Sequence, residues 1–230
     1  MNWNIKELKS KVLKTHGKPS YITLSPSLNS LIERQDFTRY HYHEAKNILE
    51  KYMNEINTAE EIFQLVFSDP GSETEKFETD RLRARAHITG CIQSLHSVSD
   101  IFSHVIYYSL NLKHAKNERD ITLYNVKKWL DQEKNHHELK NSLEKLTDHQ
   151  NYKYLTAISN YSKHRSIISI NFQLNLKKSG KEMKELVFPP FTYNGKRYPS
   201  MPAYEFLTSE FDRESKLIIE AGFKLNQLIM

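Results

Sequence analysis

The sequence predicts a mainly α protein: an antiparallel helical bundle with a small β-meander or hairpin insertion before the C-terminal helix. Three observations carry this. Glu73 to Leu112 holds a helical period over 40 residues with no Pro and a single Gly, Gly90. After Arg165 the period switches to strict apolar–polar alternation, from Ile168 to Lys177. Pro202 then opens an amphipathic run that reaches about Leu228. Six Gly and seven Pro in 230 residues exclude collagen-like and low-complexity classes. One cysteine, Cys91, excludes a disulfide framework and a Cys-based zinc site. The first residues lack the apolar core of a signal peptide, so a cytoplasmic location is expected.

Residues 1–34 are basic and weakly patterned and read as an N-terminal arm or short helices; residues 35–230 read as one helical domain. Ser25-Pro26 is a helix start signal. From Asp36 to Asn57 a helical pattern runs through Phe37, Tyr40, Ala45, Leu49 and Tyr52. Thr58-Ala-Glu-Glu61 fits a capping box, and Ser68-Asp-Pro-Gly71 is a turn. The long helix follows; its 40 residues would span about 60 Å. Asp120 can cap a helix over 121–134, and two more are expected over 137–147 and 149–165. The insertion occupies about 166–199. It comprises the alternating strand, a turn at Lys178-Ser-Gly-Lys181, a second strand over 183–188 and a hairpin at Asn194-Gly195.

Ala86 to Leu112 carries Asp100 as its only formal charge. Gln93, His96, Asp100, His104, Asn111 and five serines make it too polar for a membrane span. On a helical wheel Ile88, Cys91, Leu95, Val98, Phe102 and Ile106 share one arc, while Gln93, His96, Asp100, Ser103, His104 and Tyr107 share the opposite one. Solvated faces use Lys and Glu, and neither occurs here, so this polar arc is expected to be partly covered. His96, Asp100 and His104 are spaced i, i+4, i+8. The two imidazoles stand about 12 Å apart along the axis, too far for one ion with bonds of about 2.0–2.1 Å. No metal and no cofactor is expected. A hydrogen-bonded His96–Asp100 pair is the expected use of this spacing.

The second constellation is Asn160-Tyr-Ser-Lys-His-Arg165 at a helix end. Residues 153–197 hold nine Lys or Arg and two Glu, a net of +7; the whole chain is +5, so the remainder is −2. The basic excess is therefore local, which suits a phosphate-bearing partner such as RNA or a nucleotide. Tyr152, Tyr154, Tyr161, Phe172, Phe191, Tyr193 and Tyr198 are the aromatic candidates for stacking. A bundle with a polar-and-His motif near the end of its third main helix resembles the HEPN superfamily. The form Asn160-x-x-Lys163-His164-Arg165, followed by a β-insertion and a last helix, looks like its Cthe-2314-like branch. The usual HEPN motif is Arg, a polar residue, a few residues, then His; here Asn160 takes the Arg position and an Arg follows the His. Arg81 and His87 also fit the spacing, but a helix points them about 120° apart.

The resemblance implies a metal-independent endoribonuclease, homodimeric, of toxin–antitoxin or phage-defence type, with an antitoxin or other protein partner. His164 would then be the acid or base, Arg165 and Lys163 would stabilise phosphate charge, and Asn160 would position the phosphate or imidazole. His96 and Asp100 would form a supporting pair. The alternative is a non-catalytic module that binds RNA, a nucleotide or an acidic protein through the same patch. A third reading makes both clusters structural, with the last-turn cations complementing the helix dipole.

Overall fold

The computed structural model describes residues 3–55, 58, 60, 61, 63, 71–132, 134–167, 169–174 and 184–229. The chain is mainly helical, with short antiparallel strands before the C-terminal helix. The helices are α1 (Ile5–Glu55), α2 (Ser72–Ser109), α3 (Leu123–Leu130), α4 (His137–Asp148), α5 (Gln150–His164) and α6 (Ala203–Leu228). The strands are β1 (Asn171–Leu174), β2 (Lys184–Phe188), β3 (Phe191–Tyr193), β4 (Lys196–Tyr198) and β5 (Met201–Pro202). The expected turns at 68–71 and 178–181 lie outside the described residues, Gly71 excepted. The chain divides into two compact units: unit 1 is 1–36, 94–155 and 209–230, and unit 2 is 37–93 and 156–208.

Residues 1–34 are helical from Ile5 and bury Leu8, Val12, Leu24, Leu28 and Leu31. The break in α1 falls at Gly17, whose φ of 80° and ψ of 177° suit only glycine, and Pro19 then sits in the first turn of the resumed helix. Ser25-Pro26 starts nothing: the Ser25 hydroxyl donates to the Tyr21 carbonyl, one turn back. The Thr58–Glu61 box does form, with both reciprocal bonds present at 3.0 and 3.2 Å. Asp120 does not cap α3. It closes a 3-10 turn whose cap is Asn117, and Thr122 caps α3 instead.

Unit 1 has one continuous apolar cluster, drawn from α1, the second half of α2, α3, α4 and α6. The N-terminus locks into it through Trp3. Its indole N–H donates to Asn226 Oδ1 at 3.0 Å, and its ring meets Phe102 edge-on at 5.8 Å. Asn226 in turn donates to the Asn4 carbonyl, and its own carbonyl accepts from Lys11. Gly222 provides the seat: a Cβ there would stand 2.2–2.6 Å from three atoms of the Trp3 ring. α2 ends in a Schellman motif. Asn111 adopts φ 50°, Leu112 N–H donates to Tyr107 C=O, and Asn111 N–H donates to Tyr108 C=O.

Two acids of α6 are fully buried in unit 1. Glu210 is held by Arg213 through two bonds of 2.6 and 2.7 Å, while Arg213 also donates to the carbonyls of Lys145 and Leu146 at the end of α4. Glu214 is 1 % exposed, and among the described residues neither of its oxygens has a hydrogen-bond partner. Burial pushes its carboxyl well above the usual range; the charges of Glu210 and Asp100 reinforce this and Arg213 opposes it.

In unit 2, β1, β2 and β5 form one antiparallel sheet in that order, and β3 pairs with β4. Phe172 of β1 packs edge-on to Phe77, which in turn packs on Tyr52. The Tyr52 hydroxyl donates to Asp80 at 2.9 Å. Cys91 is buried here, and burial pushes its thiol up to about 12, which leaves it inert. Among the described residues no helix is long and apolar enough to cross a membrane.

Two outcomes follow from unit 1. Glu214 has its pKa raised on folding, so stability is lost as pH rises from the unfolded carboxylate range through the folded value. Glu214→Gln should gain on the parent as pH rises, by at most about 1.4 kcal/mol per pH unit, the limit for one proton. Urea unfolding from pH 4 to 8 measures this, and parallel profiles would refute it. Gly222→Ala should expel Trp3 from its seat and cost about 1–3 kcal/mol, as overpacking does. A shift in tryptophan emission should accompany the loss of stability.

Candidate functional site

The motif residues occupy the last turn of α5 and the residue after it. Tyr161 and Arg165 are i, i+4 neighbours, and the Tyr161 carbonyl accepts from the N–H groups of both Arg165 and Ser166 to end the helix. Asn160 is half-buried; Lys163, His164 and Arg165 are exposed. Among the described residues no side chain hydrogen-bonds the His164 imidazole.

The β3–β4 hairpin completes the site. Asn194 and Gly195 both have positive φ, 48° and 75°, the turn whose twist matches two-residue hairpins. The register pairs Phe191 with Tyr198, Thr192 with Arg197 and Tyr193 with Lys196. Directly paired residues share a face, so Phe191, Tyr193, Lys196 and Tyr198 lie on one side. That side packs on Tyr161, whose ring lies 5.6 Å from Phe191 and 6.3 Å from Tyr193. Phe191 and Tyr198 stack at 4.9 Å and 10°. The Arg165 guanidinium lies 5.8 Å from the Tyr193 ring centre, and the Lys196 ammonium 5.3 Å from that of Tyr198. The hairpin thus presents an aromatic ladder with a cation against a ring at each end. Lys163, His164 and Arg197 stand exposed on the same elements.

Four of the aromatic candidates form this ladder. Phe172 belongs to the Phe77 cluster, Tyr154 is buried, and Tyr152 shares a hydrogen bond with Ser99 in unit 1. Alternation and spacing do not separate ladder from core; the Asn-Gly turn is the signal for Phe191, Tyr193 and Tyr198, because it fixes which hairpin side chains share a face.

His96 and Asp100 belong to unit 1, whereas Asn160 to Arg165 belong to unit 2. The polar arc of α2 is partly covered, as its composition suggests: His96, Ser103 and Tyr107 are buried. Ser99 donates to the His96 carbonyl, and Ser103 to those of Asp100 and Ile121. The expected hydrogen bond between His96 and Asp100 is not made. Nδ1 and Oδ2 stand 3.8 Å apart, and the Asp100 side chain is 61 % exposed, so water solvates the carboxylate instead. His104 is shifted down by burial, with Glu118 and Asp100 acting the other way.

No protein-family model, curated protein or solved structure matches the chain.

The hairpin's geometry is open to a direct check. Gly195→Ala meets no neighbour within 4 Å, so its cost is the positive φ alone, about 1 kcal/mol. The near-ultraviolet circular dichroism of the Tyr161–Tyr193 contact should weaken with it. An unchanged spectrum and melting point would contradict the turn.

Proposed function

We propose that the α5 end and the β3–β4 hairpin bind single-stranded RNA without cleaving it. The observation that carries this reading is the aromatic ladder with Arg165 and Lys196 against its rings. Single-stranded nucleic acids are held by cations that track the backbone and by rings on which bases stack. Lys163 and Arg197 add exposed charge beside the ladder. The HEPN resemblance points to the same partner. Endoribonuclease chemistry is less well supported, because acid–base work needs an oriented imidazole and His164 has no group among the described residues to orient it.

The test is fluorescence anisotropy with a labelled RNA oligomer over a range of salt. Tight binding that weakens with salt is expected. The Arg165→Ala and Lys196→Ala proteins should bind less tightly, each lowering the salt slope by about 0.7 per lost phosphate contact. No binding at low salt would refute the proposal. RNA cleavage that vanishes in His164→Ala would replace it with the endoribonuclease reading.

A further inference from the structure

His41 on α1 and His87 on α2 both lie in unit 2, 46 residues apart in sequence, and meet Nδ1 to Nδ1 at 3.0 Å. Their ring centres are 5.3 Å apart, with the planes at 52°. Tyr40 packs on both rings, at 5.3 Å from His41 and 5.9 Å from His87. Gly90, one turn after His87, makes the approach possible: a Cβ there would stand 2.9–3.0 Å from three atoms of the His41 ring. A glycine inside a helix costs about 1 kcal/mol against alanine, and the His41 ring occupies the space that this absence leaves. Both imidazoles are half-buried, so water reaches the pair.

Neutral imidazole nitrogens are common ligands for zinc, copper and nickel. Two nitrogens bound at about 2.0–2.1 Å stand about 2.9 Å apart at a right angle and about 3.4 Å apart in a tetrahedron. The observed 3.0 Å falls within that range, so a turn of each ring onto a common point seats an ion. We propose that His41 and His87 form a two-histidine site for a divalent transition-metal ion, with water in the remaining positions. Among the described residues no group of three His, Cys, Asp or Glu side chains is placed to hold a metal, so the ion is exchangeable rather than caged.

The protons balance. In the neutral pair one Nδ1–H donates to the other Nδ1. Binding moves that proton, through solvent, to Nε2 of the same ring and releases none. A protonated pair releases its extra proton, so acid weakens binding. Burial and the neighbouring His87 both lower the pKa of His41, which keeps its ring available as a ligand.

The probe is zinc chloride, titrated into the full chain with the ring nitrogens followed by long-range proton–nitrogen spectra. The chain has eleven histidines, so the resonances identify the site. Zinc should shift Nδ1 of His41 and of His87 together, with one equivalent bound. In calorimetry His41→Gln and His87→Gln should each weaken zinc at least as much as losing an outer-shell partner does, about 10–100-fold. His149→Gln, an exposed control, should not. Zinc that leaves both Nδ1 resonances of the parent protein unmoved would overturn the proposal, whether or not the variants fold. So would a folded His87→Gln protein with parental zinc affinity.

Discussion

The rest of the structure depends on covering the stretch of α2 from Ala86 to Leu112, which has neither Lys nor Glu to hold it in water. Ile88, Cys91 and Ile92 are buried in unit 2; Leu95, Val98, Phe102, Val105 and Ile106 are buried in unit 1. Each large apolar side chain removed from water contributes about 1.5–3 kcal/mol. The polar arc imposes the second half of the constraint. Ser103 and Tyr107 on this arc are buried and bond the Ile121 carbonyl and the Ala115 N–H, and Ser99, buried on the apolar arc, bonds Tyr152. A buried hydroxyl without such a partner would cost about 1–3 kcal/mol.

That requirement accounts for what the terminal segments do. Trp3 and α6 complete the cover over Phe102, and Asn226 ties the two chain ends with three side-chain bonds and one backbone bond. The cover brings ionisable groups inside with it. Glu210 is tolerated because Arg213 bonds both its oxygens. Burial, reinforced by the Glu210 charge and opposed by Arg213, holds the Glu214 carboxyl well above its usual range and so disfavours its ionised form.

Legibility in the sequence followed the range of the interaction. Asn194-Gly195, the Thr58–Glu61 box and the starts of α2 and α6 are readable because each is decided within a few residues, whereas α2 ends at Ser109, three residues short of the expected Leu112. The uncharged arc of α2 was readable as a covered face from composition alone. Gly17 was not, because Ser25-Pro26 imitates a helix start while the burial of Leu24, Leu28 and Leu31 carries the helix through it. His87 is not legible from its own helix, because its partner, His41, is on another. Gly90 was the signal: a glycine in the middle of a long helix implies something packed against its backbone.

The same distinction explains why the motif at Asn160–Arg165 reads differently in three dimensions. As a string it is a histidine flanked by cations, the pattern of an acid–base site. Among the described residues Arg165, and not His164, meets a named side chain, the Tyr193 ring. The Tyr193 ring lies under the guanidinium and leaves its in-plane N–H donors uncovered by that contact. At an exposed position such a contact contributes about 0.5–1 kcal/mol, which biases the side chain without locking it. Lys196 is biased in the same way by Tyr198 at the other end of the ladder. Cations lying over the rings of this hairpin are the feature on which the RNA-binding proposal rests.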